Sequence, residues 1–95
     1  MKVRYTLRAR ADLAAIFSYL DERSPAGARS VKALIERRIA RLGEFPFIAP
    51  MTDEPGVYEL TLVRYPYKVY YQVEGDDVWI VHIRHAARRP WQVEG

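Results

Sequence analysis

The chain of 95 residues contains no cysteine, few glycines and no long apolar segment. Without cysteine it has neither a disulfide framework nor a thiolate metal site, which is compatible with a reducing compartment. No apolar run approaches the ~20 residues that a membrane-spanning helix requires. Charged side chains interrupt the first five positions, so no secretory signal is predicted. We therefore expect a cytoplasmic protein that uses no metal ion, no cofactor and no membrane.

Apolar residues make up 49% of the chain and aromatic residues 13%, which is typical of a folded protein rather than a disordered one. The length allows a single hydrophobic core. No repeat, low-complexity segment or linker divides the chain. The expected organisation is one domain spanning residues 1–95.

Acidic residues are scarce in the first half of the chain. Residues 1–47 carry a net charge of +5 and residues 48–95 a net charge of −2, and 12 of the 15 cationic residues are arginine. This distribution is compatible with an acidic partner, either a nucleic acid or an acidic peptide. A solvated helix face explains it equally well.

The first half predicts a strand followed by two helices. Alternation over Lys2–Tyr5 indicates a short strand, and Thr6 is a candidate N-cap for the next segment. Ser24 followed by Pro25 marks a second helix start, and Gly43 is a candidate residue to end that helix. Each helix has one apolar stripe: Leu13, Ile16, Phe17 and Leu20 in the first, and Ala28, Val31, Leu34, Ile35, Ile39 and Leu42 in the second. The short connection predicts an antiparallel helical hairpin.

The second half predicts a loop and three strands. Residues 44–56 contain three prolines and form an irregular crossing loop, whose Phe45, Phe47 and Ile48 are expected to anchor it to the core. The predicted strands are Val57–Val63, Tyr67–Val73 and Val78–Arg84. The fold class is therefore α+β in the order β-α-α-β-β-β, with the helical hairpin packed on one face of a small, mainly antiparallel sheet. The other face is expected to be open and to carry Glu59, Thr61, Lys68, Tyr70 and Gln72.

The end of the last strand is rich in groups that bind partners. Arginines, histidines and a tryptophan follow one another between positions 82 and 91, and such groups bind phosphates, stack on bases or contact acidic proteins. The predicted target-binding residues are Arg84, Arg88, Arg89 and Trp91. The alternative is a solvated terminus with an internal ion pair to Asp76 or Asp77. His82 and His85 should point to opposite sides of the sheet, so a hydrogen bond at the strand end is favoured over an acid–base pair.

Three pieces of the chain together resemble the RelE/ParE superfamily of toxins from bacterial type II toxin–antitoxin modules. They are the hairpin with Ala11-Asp12-Leu13 and Ser24-Pro25, the strand Tyr67–Val73 with its following Glu74-Gly75-Asp76, and the terminal strand that runs into His85-Ala86-Ala87-Arg88-Arg89. The resemblance implies one of two activities. ParE-like members block DNA gyrase by binding, and RelE-like members cut messenger RNA on the ribosome.

The two activities differ in the side chains that they need. RelE-like members have lysines on the first strand after the loop and a late tyrosine, whereas this chain has Glu59 and Thr61 on that strand and no late tyrosine. A carboxylate there repels a scissile phosphate instead of stabilising it. The departure favours the ParE-like branch, a gyrase inhibitor that is not an enzyme. The alternative is an endoribonuclease that uses Arg64, Lys68, Arg84, His85 and Arg88.

The resemblance also implies a protein partner. A ParD-like antitoxin is expected to neutralise the chain in a hetero-oligomer, and DNA is expected to be reached indirectly, through the antitoxin. The predicted antitoxin-binding residues are Leu13, Phe17, Arg37, Arg38, Arg41, Lys68 and Tyr70. We expect an acidic amphipathic segment to bind them as a helix in a groove or as an added strand.

Overall fold

The structure, a computed structural model, describes residues 1–87 and has the predicted element order. The strands are β1 (Lys2–Tyr5), β2 (Tyr58–Thr61), β3 (Tyr67–Glu74) and β4 (Asp77–His85), and the helices are α1 (Leu7–Asp21) and α2 (Pro25–Arg41). The α+β fold class is confirmed, although β2 is shorter and β4 longer than predicted. The predicted contacts at Arg88, Arg89 and Trp91 lie outside the described residues. Within residues 1–87, neither helix is long and apolar enough to cross a bilayer.

Both helices begin at the predicted caps. The Thr6 hydroxyl accepts a hydrogen bond from the Ala9 amide, and the Ser24 hydroxyl accepts one from the Gly27 amide, each at 3.1 Å. Each cap satisfies an amide that would otherwise lack a partner in the first helical turn. Pro25 is tolerated at the start of α2 because the N–H that proline lacks would have no hydrogen-bond acceptor within the helix at that position.

Gly43 follows α2 for a different reason from the one predicted. Helix α2 is capped by Leu42, and Gly43 is not among the glycines with positive φ, so no left-handed residue ends this helix. A Cβ at Gly43 would lie 2.7 Å from the Met1 carbonyl oxygen. Glycine is required there because the start of β1 approaches the backbone closely.

The sheet has the strand order β1-β4-β3-β2. β1 pairs parallel with β4, and the other neighbours pair antiparallel. The β3–β4 pairing contains a bulge, because Tyr70 opposes His82 while Tyr71 opposes Ile80. Val81 is therefore an extra residue on β4. The bulge lets Ile80 and Ile83 both face the helices although they are three positions apart.

The core lies between the helical hairpin and one face of the sheet. Its fully buried side chains include Ile35 and Ile39 on α2 and Val69, Tyr71 and Ile80 on the sheet. Half-buried side chains of α1 pack against this cluster, which places α1 at the border of the core.

The expectation that Phe45, Phe47 and Ile48 anchor the crossing loop to the core is wrong. Phe45, Phe47 and Ile48 are 48%, 63% and 66% exposed. The loop is held instead by the Tyr71 hydroxyl, which donates to the Pro46 carbonyl at 2.9 Å, and by Ala49, which is buried. Its large apolar side chains are left at the surface.

Candidate functional site

The outer face of the sheet, turned away from the helices, brings the polar strand residues into two rows. One row crosses the strands through Glu59, Tyr70 and His82, and the next crosses through Thr61, Lys68 and Arg84. The register therefore places two cations of the nuclease hypothesis, Lys68 and Arg84, directly opposite each other.

Both of these cations are engaged within the protein. The Lys68 Nζ atom lies 2.8 Å from Glu59 Oε2, and both side chains are about one-quarter exposed. The Arg84 guanidinium donates to the Tyr70 hydroxyl at 3.0 Å and to the backbone carbonyls of His85 and Ala86 at 3.0 and 3.3 Å. A phosphate on this face would have to compete with Glu59 and with these acceptors.

Tyr70 is buried, and the expectation that it is exposed on the open face is wrong. It is 2% exposed, and its ring stacks on the His82 ring with centroids 5.7 Å apart. Burial raises the pKa of the Tyr70 hydroxyl above its ordinary value of 10.0, and the hydrogen bond from Arg84 opposes that rise in pKa. The phenol therefore stays protonated at neutral pH and is unsuited to act as a base. Because the Tyr70 ring is buried, it is also inaccessible to a partner protein or a nucleic acid.

Asp12 connects α1 to the edge of β4. Its Oδ2 atom lies 2.7 Å from Nδ1 of His82 and accepts the Ile83 amide at 3.0 Å. The pairing of β1 with β4 ends at Tyr5 opposite Ile80. The Ile83 amide therefore lies on a part of the β4 edge that β1 does not cover, and the Asp12 carboxylate accepts its hydrogen bond. A lone carboxylate between Ala11 and Leu13 is a weak sequence signal, and the role of Asp12 was not predicted.

The two histidines lie on opposite faces of β4, as predicted. His82 shares the outer face with Tyr70, and its hydrogen bond to Asp12 lies within β4, whereas the bond at the strand end is made by His85. His85 opposes Tyr67 on the helix side, where its Nδ1 accepts the Ala87 amide at 3.1 Å. No group of three or more histidine, cysteine, aspartate or glutamate side chains within residues 1–87 is placed to hold a metal ion.

Two grooves open on the surface formed by residues 1–87. The hairpin groove, of about 990 Å³, lies between α1 and the ends of β3 and β4 and is lined in part by Asp12, Tyr19, Leu20, Tyr67, Arg84 and His85. The loop groove, of about 600 Å³, lies where the end of α2, the crossing loop and β2 meet. Its lining includes Arg38, Arg41, Phe45, Ile48, Pro50 and Thr61.

The predicted antitoxin contacts do not form one surface. Arg38 and Arg41 line the loop groove. Leu13 packs against the core on α1, and Phe17 is half-buried beside the Lys32 ammonium. Lys68 and Tyr70 belong to the outer face of the sheet.

Arg37 and Arg64 stand apart from these groups. Arg37 is exposed on α2. Arg64 is exposed at the turn after β2, where its guanidinium lies 5.7 Å from the centre of the Tyr65 ring.

A family model described as the ParE toxin of the type II toxin–antitoxin system parDE matches residues 3–90. The chain belongs to the ParE toxin family. A curated relative of this ParE-family chain, Toxin RelE2 of Caulobacter vibrioides, is 37% identical over 87 residues, which cover 92% of this chain and 97% of the relative.

Solved structures share the fold of this ParE-family chain. A chain of the chromosomal ParDE toxin–antitoxin system from P. aeruginosa superposes with a TM-score of 0.81 and 28% identity, over 90% of this chain and 95% of that chain. A chain of the intact E. coli RelBE toxin–antitoxin complex superposes with a TM-score of 0.70 over 92% of this chain and 98% of that chain. Its identity of 19% supports the shared fold alone.

Proposed function

We propose that this ParE-family chain is the toxin of a type II pair that arrests growth by binding DNA gyrase. A cognate ParD-like antitoxin neutralises it in a cytoplasmic hetero-oligomer and supplies the contact with DNA. Residues 1–95 act as one toxin domain. The observation that carries this proposal is the contact between Lys68 and Glu59.

Cleavage of RNA through the ribose 2′-hydroxyl needs cations on the pentavalent phosphate and groups that move protons. Lys68 is neutralised by the Glu59 carboxylate at 2.8 Å. The second cation that such chemistry would recruit, Arg84, already donates to three oxygens of the chain. The outer face is therefore better suited to hold its own strands together than to stabilise a scissile phosphate.

Two of the comparisons support this choice. The matching family model is that of the ParE toxin, and the P. aeruginosa neighbour comes from a ParDE system. The name of the Caulobacter relative, RelE2, points the other way. A RelE-like endoribonuclease using Arg64, Lys68, Arg84, His85 and Arg88 is the second candidate, because the sheet register sets Lys68 opposite Arg84.

Target contact is assigned to Arg84, Arg88, Arg89 and Trp91. Arg84 also has a positioning role in this proposal. Its guanidinium fastens the carbonyls of His85 and Ala86 and thereby sets the direction in which the chain leaves β4. The remaining three lie beyond the described residues.

The proposal is tested by inducible expression without the antitoxin and by assays on the purified chain. We expect filamentous cells with an SOS response, and inhibition of gyrase supercoiling by the purified protein. Rapid loss of translation, with messenger RNA cut within codons on purified ribosomes, would overturn gyrase inhibition in favour of the nuclease. Normal growth together with unaffected gyrase would contradict both candidates.

A further inference from the structure

The second half of β4 has an edge that β1 does not cover. β1 pairs with β4 only as far as Ile80, and the chain then turns into α1. Backbone groups that face the same neighbour recur at every second residue of a strand. The Ala86 amide donates to the Pro66 carbonyl on the β3 side. The backbone groups of Ile83 and His85 therefore face the opposite edge, towards α1.

Half of the backbone groups on this edge are already engaged. The Ile83 amide donates to the Asp12 carboxylate at 3.0 Å, and the His85 carbonyl accepts a hydrogen bond from the Arg84 guanidinium at 3.0 Å. The Ile83 carbonyl and the His85 amide have no hydrogen-bond partner within residues 1–87. A strand edge with unpaired backbone groups is a template for a further strand.

The position of the two unpaired groups selects a parallel strand. In a parallel pair, a residue donates to the carbonyl before, and accepts from the amide after, the residue that it lies opposite. β1 follows this pattern, since the Lys2 amide donates to the Asp76 carbonyl. A residue opposite Arg84 would bond in the same way to the Ile83 carbonyl and the His85 amide. An antiparallel strand would need both the N–H and the C=O of one of these two residues, and each of them has one group engaged.

The hairpin groove provides the space for such a strand. It has a volume of about 990 Å³ and lies between α1 and this edge of β4. Beyond Asp12, its wall on α1 consists of Ala15, Ile16, Tyr19 and Leu20. Successive side chains of a strand point to opposite faces, so the residue opposite Arg84 would lie beside the guanidinium on the outer face. Its two neighbours would point to the helix side, towards Ile16 and Leu20.

We propose that the hairpin groove binds an extended segment of the target protein, which joins the sheet beside β4 as a parallel fifth strand. The segment carries an acidic residue, opposite Arg84, between two apolar residues. Main-chain bonds give such a complex its affinity, and the flanking side chains give it specificity. This inference rests on the proposed function, in which the target is gyrase.

The target is the occupant because the groove is continuous with the end of the chain. Ala87 lines the groove, and β4 leads directly into residues 88–95, which the proposed function assigns to target contact. Arg84, Arg88 and Arg89 give this end of the chain a positive charge. That charge complements an acidic segment.

Other occupants fit this edge less well. Two copies of the chain related by a two-fold axis would pair their β4 edges antiparallel, which the engaged groups of Ile83 and His85 oppose. Residues 88–95 are too few for the crossover of about a dozen residues that a parallel strand requires. The predicted antitoxin contacts Leu13 and Phe17 lie on α1 but do not line this groove. A nucleic acid would leave the apolar wall on α1 without a contact.

The first test is hydrogen–deuterium exchange on the full chain, alone and with purified gyrase. We expect slower exchange on binding in residues 12–20 and 83–87, including the His85 amide. Slower exchange confined to other segments, such as residues 44–66, would overturn the inference and leave gyrase binding intact. A chain that neither binds nor inhibits gyrase would contradict the proposed function and this inference with it.

The second test adds a charge to the apolar wall. Ala15 is exposed and lines the groove, whereas Ala14 is exposed on the same helix and does not line it. We expect A15E to raise the half-inhibitory concentration in a gyrase supercoiling assay by about tenfold or more, and A14E to change it by less than about twofold. Antitoxin binding should be the same for both variants. Equal inhibition by the two folded variants would overturn the inference, as would loss of antitoxin binding by A15E with gyrase inhibition unchanged.

The third test separates the main-chain bond from the side chain. H85P removes the His85 N–H, and proline is tolerated where an edge strand faces outward, whereas H85A keeps the N–H and removes the imidazole. We expect the half-inhibitory concentration of H85P to be about five times that of H85A or higher, because one main-chain hydrogen bond is lost. Circular dichroism checks that both variants fold. Equal inhibition by folded H85P and H85A would overturn the parallel strand, and if H85P does not fold, the comparison of A15E with A14E decides.

Discussion

The Asp12 carboxylate and the His82 imidazole join the first helix to the last strand across most of the chain. Asp12 Oδ2 lies 2.7 Å from His82 Nδ1, and the same oxygen accepts the Ile83 amide at 3.0 Å. Because His82 also stacks on the buried Tyr70 ring, this contact fixes α1 against both central strands. An aspartate–histidine pair at a protein surface suggests a catalytic base. Here, however, the aspartate also accepts a backbone amide, which is typical of a structural role.

We expect D12A to lower the free energy of unfolding by about 1–3 kcal/mol, because the Ile83 amide and the His82 imidazole both lose their hydrogen bond to Asp12. D12N should lose less, since its side-chain oxygen can still accept the Ile83 amide. Urea unfolding followed by circular dichroism measures both. The exposed Asp21 on the same helix provides the control, and D21A should stay within about 0.5 kcal/mol of the wild type. Equal stability of D12A and D21A would contradict this role.

We expect K68M to remain toxic, because Lys68 is bound to Glu59 and is not needed for gyrase binding. Its stability should fall by about 0.2–1 kcal/mol, as for a partly exposed ion pair. Colony counts after induction and supercoiling assays measure the outcome. E59Q breaks the same ion pair and frees the Lys68 ammonium, so it is the matched control. A K68M variant that folds normally but is harmless, with E59Q still toxic, would favour the nuclease.

Deletion of residues 88–95 should abolish toxicity and leave antitoxin binding largely intact. The reason is that, in the proposed function, the end of the chain contacts the target while residues of the two helices contact the antitoxin. Plating after induction and a pull-down with tagged antitoxin measure the two properties on the same variant. Parallel loss of both would place the end of the chain in the antitoxin interface or in the fold.

G43A should destabilise the protein by about 1–3 kcal/mol, the usual range for forcing an extra carbon into a packed site. Its Cβ would lie 2.7 Å from the Met1 carbonyl oxygen, which belongs to the backbone and cannot rotate away. G27A is the control on α2. There the nearest atom is the Ser24 hydroxyl at 3.0 Å, which can shift, and alanine is the better helix former. Thermal melts that rank G27A below G43A would contradict this account.

Stability should decrease as the pH rises above 10. Burial raises the pKa of Tyr5, Tyr70 and Tyr71 above the ordinary value of 10.0, so the folded state keeps protons that the unfolded state releases. The stabilisation is complete below pH 10 and is lost as the pH rises through the folded pKa values. Urea midpoints between pH 8 and 11 measure it. Y71F, which also removes the bond to Pro46, should show a shallower decline than the wild type.

Local signals in the sequence predicted most of the fold. Ser24-Pro25 and Thr6 specify helix starts through short-range hydrogen bonds, and apolar periodicity separates helices from strands. Burial of Tyr70 could not be predicted in this way, because alternation assigns a side chain to a face but not to the neighbours that cover it. The exposed Phe45 and Ile48 were assigned to the core because apolar character alone does not distinguish a buried position from an exposed one.

The candidate site was harder to predict than the fold. The sequence shows that Glu59 lies on the strand where RelE-like members have lysines. Its pairing with Lys68, however, depends on the register of β2 against β3. Asp12 and His82 are 70 positions apart, so no local pattern connects them. Pairings of this kind arise from tertiary packing, which a single sequence does not display.

Val81, the extra residue of β4, can be lost without moving a core side chain to the other face. Removal of its codon would restore strict alternation, with Ile80 still opposite Tyr71 and Ile83 still opposite Val69. Loss of Ile83 would instead bring either His82 or Arg84 to the helix side of the sheet. Among descendants of this gene, in-frame deletions in this strand should therefore persist at codon 81 and be purged at codon 83.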